Sequence, residues 1–145
     1  MSGDEDLIKD ILSKYRTIAI IGLSRDPEKD SYRVARYLAE HGFKIIPVNP
    51  NADVILGEKC YASLPEIPAD KQKMIEIVNI FRPPGEVPGI VEQAIQLRRF
   101  HGKPYVIWTQ LGIINERAAG MAKDAGFVVI MDRCIMREHM RLFKK

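Results

Sequence analysis

The sequence predicts an α/β fold, a doubly wound, mostly parallel sheet of five strands with helices on both faces. Five short apolar runs, rich in β-branched residues, alternate with segments whose apolar residues recur at helical spacing. The first run, over residues 17–22, is continuous rather than alternating with polar residues, which is typical of a strand buried on both faces of a parallel sheet. The helical segments between them supply the crossover connections that parallel strands require.

The first half of the chain is expected to hold two helices and two strands. Acidic residues open the first helix, where they favour the positive end of its dipole. Residues 51–73 are the least regular part, with one short extended piece around residues 60–64 and then turns at Pro65 and Pro68. The four regular elements are a helix over residues 4–15, a strand over 17–22, a helix from Asp30 or Ser31 to Gly42, and a strand over 43–48.

The second half is expected to continue the alternation of strands and helices. Asn115 is suited to cap one helix, because its side chain can accept a hydrogen bond from a free backbone N–H. The expected elements are a strand over residues 75–81, a helix around 90–97, a strand over 104–108, a helix from Asn115 to Gly126, a strand over 127–131 and a final helix around 135–142.

The whole chain, residues 1–145, is expected to form one domain of a cytoplasmic protein. Its length suits one domain, and the net charge of +3 suits an anionic ligand rather than nucleic acid. Two cysteines, Cys60 and Cys134, are too few for a disulfide framework and favour a reducing compartment. The acidic N-terminus resembles no targeting peptide, and no apolar run reaches the roughly 20 residues of a membrane span.

In an open parallel sheet, ligands bind beyond the carboxyl ends of the strands, where the strand order reverses. The loops that follow the strands are therefore the candidate binding loops. They are residues 22–32, 49–53, 81–85 and 109–112.

The first loop carries the most information about a ligand. It has a glycine at the strand exit, Gly22, and a helix begins inside it, so free backbone N–H groups are available to phosphate oxygens. Hydroxyls and cations follow at Ser24, Arg25, Lys29, Ser31 and Arg33, with Tyr32 beside them. The alternative is structural: the glycine only makes the turn, Ser31 only caps the helix, and the cations are solvated.

The same loop disfavours NAD. A dinucleotide fingerprint needs glycines at three fixed positions, but Ser24 stands at the second and the third is missing. The second strand should then end near an acid that binds the ribose hydroxyls, and Asn49 and Pro50 stand there instead. NADP, which replaces that acid with a basic residue nearby, stays open.

Motifs along the whole chain resemble those of small stand-alone CoA-binding proteins, which are similar to the N-terminal domain of the succinyl-CoA synthetase α subunit. The matching segments are Gly22-x-Ser24, Ser31-x-x-Val34-x-x-Tyr37-Leu38, Gly42-Phe43-x-Ile45-x-Pro47-Val48-Asn49-Pro50, Gly57-x-x-Cys60-Tyr61-x-Ser63-Leu64, Phe81-Arg82, Val106-Ile107-Trp108-Thr109-Gln110-Leu111-Gly112 and Met131-Asp132-Arg133-Cys134. The resemblance implies a Rossmann-like domain that binds coenzyme A or an acyl-CoA.

The resemblance also implies where the cofactor lies. The first loop and its helix would hold the pyrophosphate, Asn49 and Pro50 would border the adenosine, and the loops at Phe81-Arg82 and Gln110 would flank the nucleotide or its pantetheine arm. The cofactor-binding residues expected are Gly22, Ser24, Arg25, Ser31, Tyr32, Asn49, Pro50, Phe81, Arg82 and Gln110. The chain has fewer loop glycines than the synthetase, and it lacks the second domain that carries the synthetase's phosphorylated histidine, so ligase chemistry is not implied.

A binding protein is therefore expected rather than an enzyme, because no metal, triad, nucleophile-elbow or Walker spacing is present. His41 and His101 stand beside glycines, and His139 lies in the last helix. Three alternatives stay open: an NADP-binding protein, a subunit of an acyl-CoA ligase, and a regulatory protein that responds to CoA or redox state. The acyl group, the protein partner and the oligomeric state are left undetermined.

Three further features have both a functional and a structural interpretation. Cys134 follows the last strand and could form a mixed disulfide with CoA, or it is a buried structural cysteine. Trp108 is expected in the core rather than as a stacking platform. A basic stripe could attract the cofactor's 3′-phosphate or an acidic partner, or be a solvated helix face; it comprises Arg133, Arg137, Arg141 and Lys145.

Overall fold

Five parallel strands form the central sheet of the computed structural model, which describes residues 3–143. These strands are β1 (Thr17–Ile21), β2 (Lys44–Val48), β5 (Ile77–Ile80), β6 (Val106–Thr109) and β7 (Val128–Ile130), and a separate pair is formed by β3 (Val54–Ile55) and β4 (Glu58–Lys59). The helices are α1 (Gly3–Lys14), α2 (Asp30–Glu40), α3 (Ala69–Gln72), α4 (Val87–His101), α5 (Glu116–Asp124) and α6 (Ile135–Phe143). The sheet has the order β2-β1-β5-β6-β7, which confirms the predicted fold class.

Each face of the sheet is covered by its own apolar layer. Ile18 and Ile20 of β1 pack with residues of α1, α2 and α6, whereas Ala19 and Ile21 pack with residues of α4 and α5. Every residue of β1 is buried, which is why all of its residues after Thr17 are apolar. Burial of one such isoleucine side chain contributes about 1.5–3 kcal/mol.

The strand order reverses between β1 and β5. From β1 the chain crosses to β2 on one side and later returns to β5 on the other, so the loops after β1 and β5 diverge at the carboxyl edge of the sheet. Open α/β sheets bind their ligands in the crevice at such a reversal. The loops concerned begin at Gly22 and Phe81, two of the residues singled out from the sequence.

The prediction for residues 51–73 is incomplete. Within the extended piece predicted around residues 60–64, Tyr61 forms a single parallel bridge to Val48, but the prediction missed the antiparallel hairpin of β3 and β4 just before it. Leu56 and Gly57 turn this hairpin with positive φ angles of 54° and 75°, the backbone geometry of a tight two-residue loop. Each strand has only two residues, which is too short for an alternating pattern to be recognised in the sequence.

The other local predictions have clear outcomes. Asn115 caps α5 as expected, with its side-chain oxygen accepting from the N–H of Ala118 at 2.9 Å. Trp108 is fully buried, and its indole N–H donates to the carbonyl of Arg133 at 2.8 Å, which confirms its place in the core. Within residues 3–143, no helix combines the length and the apolar character needed to cross a bilayer.

Candidate functional site

A cleft opens at the carboxyl edge of the sheet, between the exits of β1 and β2 and the start of α4. Its volume is about 290 Å³, and we call it the β1–β2 cleft. Four of the residues predicted from the sequence line it, and other residues, Glu86 among them, complete its wall. The four are Gly22, Asn49, Pro50 and Arg82.

A second hollow lies on the opposite face of the sheet, between α2, α6 and the exits of β5 and β6. Its volume is about 240 Å³, and we call it the α2–α6 cavity. Two more of the predicted residues, Phe81 and Gln110, line it together with Cys134. Because Phe81 lines the cavity and the next residue, Arg82, lines the cleft, the two hollows flank the same loop.

The other four predicted residues line neither hollow but belong to the loop and first helical turn after β1. The N–H of Ser24 donates to the hydroxyl of Ser31 at 2.9 Å, and the Ser24 hydroxyl accepts from the N–H of Asp26 at 3.0 Å. Ser31 therefore does not cap α2, so that structural interpretation is wrong: the residue before the helix is Lys29, which makes no side-chain cap bond. Tyr32 packs against the core below the loop.

The start of α2 carries backbone donors that nothing in the described part of the chain accepts. The first helical hydrogen bond is made by the N–H of Arg33 to Lys29 at 3.2 Å, which leaves the N–H groups of residues 30–32 without an acceptor among residues 3–143. The helix dipole adds roughly half a positive charge at this end. Such an end of a helix binds anions.

The side-chain charges of the same loop nearly cancel. Arg25 and Lys29 are exposed and have no ion pair among the described residues, whereas Arg33 pairs with Asp30 and donates to the Glu28 carbonyl at 2.7 Å. The carboxylates of this loop are as many as its cations: Asp26, Glu28 and Asp30. Attraction for a phosphate here therefore depends on the backbone donors and on the unpaired Arg25 and Lys29 rather than on net charge.

Asn49 ties the loops after β1 and β2 together. Its side-chain N–H donates to the carbonyl of Leu23 at 2.9 Å, and its side-chain oxygen accepts from the N–H of Asn51 at 2.8 Å. An aspartate at this position would have no N–H to give to Leu23. The amide that replaces the expected ribose-binding acid thus has a bracing role that the sequence alone did not reveal.

Arg82 is held by an acid that sequence analysis missed. Its guanidinium donates twice to the carboxylate of Glu86, at 3.0 Å and 2.8 Å. This hydrogen bonding raises the pKa of Arg82 and holds the pKa of Glu86 below its ordinary value. Arg82 and Glu86 are four residues apart, on either side of a proline-rich turn. Because the helix was predicted only around residues 90–97, the sequence did not indicate that these two side chains lie next to each other.

A buried amide network forms the floor beside the α2–α6 cavity. The side-chain oxygen of Gln110 accepts from the side chain of Asn79 at 3.0 Å and from the N–H of Ile135 at 3.1 Å. Asn79 is fully buried in β5, and its own side-chain oxygen has no hydrogen-bond partner within the described residues. The feature of the sequence that could have indicated this network is Asn79, the polar residue in the otherwise apolar strand β5.

The histidines lie away from both hollows. His139 is buried and hydrogen-bonds the hydroxyl of Tyr37 at 2.7 Å, and His41 stacks on the Tyr37 ring. His101 bonds the side chain of Gln72 at 2.9 Å. Among residues 3–143, no three histidine, cysteine or acidic side chains are grouped so that they could hold a metal ion.

The basic stripe predicted on α6 is largely neutralised. Arg133 pairs with Asp4 and Glu138, and Arg141 pairs with Glu5 and Glu138. Arg137 has no ion pair in the described part of the chain and lines the α2–α6 cavity. Lys145 lies outside the described residues.

A family model described as a CoA binding domain matches residues 16–140. The chain belongs to this CoA-binding domain family. The uncharacterized protein YneT of Bacillus subtilis is 40% identical to this chain over 132 residues, which cover 91% of each chain. A solved structure from Thermus thermophilus, cell-free ID.343, superposes with a TM-score of 0.86 at 34% identity and covers 99% of this chain and 100% of its own.

The CoA-binding domain is also similar to one part of a much longer enzyme. An ADP-forming acetate–CoA ligase of Archaeoglobus fulgidus is 37% identical over 83 residues, which are 56% of this chain and 12% of the ligase. The family predicted from the motifs and its Rossmann-like fold are thereby confirmed.

Proposed function

We propose that this CoA-binding domain binds coenzyme A or an acyl-CoA at the carboxyl edge of its sheet, without catalysing a reaction of its own. The observation that carries the proposal is the family match over residues 16–140 in a fold whose two hollows flank one loop where the strand order reverses. The fold alone would support many ligands, so the family match is what selects CoA among them.

The adenosine of the cofactor would lie in the β1–β2 cleft. Its pyrophosphate would lie at the start of α2, where Asp30 and Arg33 line the α2–α6 cavity and the free N–H groups are the donors that phosphate oxygens need. Arg25 would supply a charge from the loop. Asn49 and Pro50 would border the adenosine, with Asn49 holding the shape of the wall.

The pantetheine arm would cross the loop after β5 and enter the α2–α6 cavity. The volumes, about 290 and 240 Å³, each fall short of the roughly 300–1,000 Å³ that pockets for drug-sized ligands usually have. CoA is larger than such ligands, so it would need both. Phe81 and Arg82 would lie beneath the arm, and the side-chain N–H of Gln110 would be available to one of its carbonyl oxygens.

Binding without catalysis is proposed because the general acids and bases that enzymes most often use lie elsewhere. The three histidines are engaged by Tyr37, by a backbone carbonyl and by Gln72, and none of them lines the cleft or the cavity. Arg82 and Glu86 line the cleft, but they are bound to each other.

Calorimetric titration of the purified protein with CoA, dephospho-CoA, NAD and NADP tests the proposal. CoA should bind most tightly and the other three more weakly; NADP binding that equals or exceeds CoA binding would overturn it. Arg25→Gln should weaken CoA binding about tenfold, the effect of one lost hydrogen bond between charged groups. Arg117→Gln, an exposed change on α5 outside both hollows, is the matched control and should leave affinity unchanged.

One observation favours a second candidate function. The similarity to the ADP-forming acetate–CoA ligase suggests a chain that presents CoA to a ligase completed by another protein. Isolating the tagged chain from its native host and assaying the eluate for ADP-forming acetate–CoA ligation tests this candidate. A chain recovered alone, binding CoA but without that activity in the eluate, contradicts it.

A further inference from the structure

The two cysteines have different surroundings. Cys60 is buried, its thiol donates to the carbonyl of Asn49 at 3.4 Å, and burial raises its pKa. Cys134 is half-buried, lines the α2–α6 cavity, and its thiol has no hydrogen-bond partner among the described residues. Cys134 is therefore the cysteine that a ligand in the cavity can meet.

Gln110 provides an independent sign that the cavity is built for a ligand. The residue is only 6% exposed, yet the nitrogen of its side-chain amide has no acceptor among the described residues. Its oxygen is fixed by Asn79 and by the N–H of Ile135, so the amide cannot turn over without losing both bonds. The nitrogen itself is not fully buried, so it is open to the cavity and can donate to a ligand there.

The same bond places Gln110 next to Cys134. Ile135, whose N–H the glutamine oxygen accepts, is the residue directly after Cys134, and both side chains line one cavity. A ligand that accepts from the Gln110 amide is thus brought to the cysteine. CoA carries two amide carbonyls in the arm that leads to its sulfur, which suits this arrangement.

The charged residues of the cavity favour an anionic compound. Arg137 stands three residues after Cys134 on α6 and has no ion pair in the described part of the chain. Arg33 and Asp30 of α2 also line the cavity and are paired with each other. The surplus charge is therefore positive, which attracts a compound that carries several phosphates.

We infer that Cys134 forms a mixed disulfide with CoA when the cofactor reaches the α2–α6 cavity as CoA disulfide. The cysteine sulfur attacks one sulfur of CoA disulfide, the S–S bond of that disulfide breaks, and a bond between Cys134 and the CoA sulfur forms. The other CoA leaves as a thiolate and takes up the proton lost by the cysteine. CoA disulfide is the oxidant, so no further reactant is needed; the inference rests on the proposed function.

Intact-protein mass spectrometry after incubation of the reduced protein with CoA disulfide tests this inference. We expect a gain of one CoA, reversed by a reductant, absent in Cys134→Ser and retained in Cys60→Ser. Glutathione disulfide, which has no nucleotide, should react at least about tenfold more slowly, because binding raises the local concentration of the CoA compound. A CoA analogue that lacks the sulfur should slow the reaction by occupying the site.

The role of the buried amide is tested with Gln110→Glu, which keeps the oxygen acceptor but removes the N–H donor. It should slow formation of the adduct, whereas Gln96→Glu, the same change at an exposed position of α4, should not. Equal rates for the two disulfides, or an adduct on Cys60, would overturn the inference. Calorimetric CoA binding without any adduct would overturn it and leave the proposed function standing. Absence of both binding and adduct would overturn both.

Discussion

At Gly22, both the fold and the proposed site depend on the absence of a Cβ atom. Its φ angle is +86°, and a Cβ placed there would lie 2.7 Å from the carbonyl oxygen of Phe81 and 2.8 Å from a side-chain carbon of Arg82. Gly42 offers a matched control, because its φ angle is +91° but nothing lies within 4 Å of the corresponding Cβ. The two glycines share the backbone strain and differ in the close approach.

The expected magnitudes follow from that difference. A side chain in the left-handed region costs about 1–2 kcal/mol, which Gly42→Ala and Gly22→Ala should both show. Gly22→Ala adds a contact with a backbone oxygen that cannot move without shifting β5, and overpacking of this kind costs about 1–3 kcal/mol more. We therefore expect about 1–2 kcal/mol of destabilisation for Gly42→Ala and about 2–5 kcal/mol for Gly22→Ala.

Urea unfolding followed by the fluorescence of Trp108, the single tryptophan of the chain, measures both variants against the parent. Calorimetric titration with CoA in buffer without urea, where both variants are folded, then measures binding separately from stability. Gly22→Ala should weaken CoA binding, because the loops after β1 and β5 are pushed apart, whereas Gly42→Ala should leave it unchanged. Equal losses of stability in the two variants would refute the reasoning from close approach.

Three other changes test separate parts of the structure. Asn115→Ala removes the cap of α5 and should lower the free energy of unfolding by about 0.5–2 kcal/mol, measured in urea. Burial raises the pKa of Tyr37, so its contribution to stability should be present below about pH 10 and be lost as the pH rises further. Tyr37→Phe should lack this part of the decline, so the unfolding midpoints of the parent and the variant should diverge above about pH 10. Glu86→Gln releases Arg82 and should tighten CoA binding about three- to tenfold in calorimetry, while stability changes by less than about 1 kcal/mol.

Each of these expectations has an outcome that contradicts it. An unchanged unfolding midpoint in Asn115→Ala would show that the cap contributes nothing measurable. Parallel pH profiles for the parent and Tyr37→Phe would contradict the raised pKa of the tyrosine. Weaker CoA binding in Glu86→Gln would mean that the ion pair, rather than free Arg82, is what the ligand requires.

The sheet was predictable from the sequence because its signal is local. Residues 17–22 and 104–108 are nearly continuous apolar runs, and the strands observed there differ from the predicted bounds by at most two residues at either end. The hairpin of β3 and β4 was not predictable. Its two-residue strands carry no period, and its turn places Leu56, a residue that rarely adopts a positive φ, in the left-handed region.

The candidate site was predictable in position but not in its internal bonding. The rule that ligands bind at strand exits selected the loops that line both hollows. The pairing of Asn49 with Leu23 joins residues 26 apart in the chain, and that of Asn79 with Gln110 joins residues 31 apart. Such partners are set by the strand order, which short-range patterns do not encode.

Asn79 also bears on how the chain chooses a single alignment of its strands. In the observed pairing, Asn79 lies opposite Trp108, and its side chain donates to that residue's carbonyl and to Gln110. A slip of one residue would turn the amide to the face where its neighbours Val78 and Ile80 now lie among aliphatic side chains. A buried amide without partners costs about 1–3 kcal/mol, so one asparagine penalises the misaligned sheet and selects the alignment that builds the cavity floor.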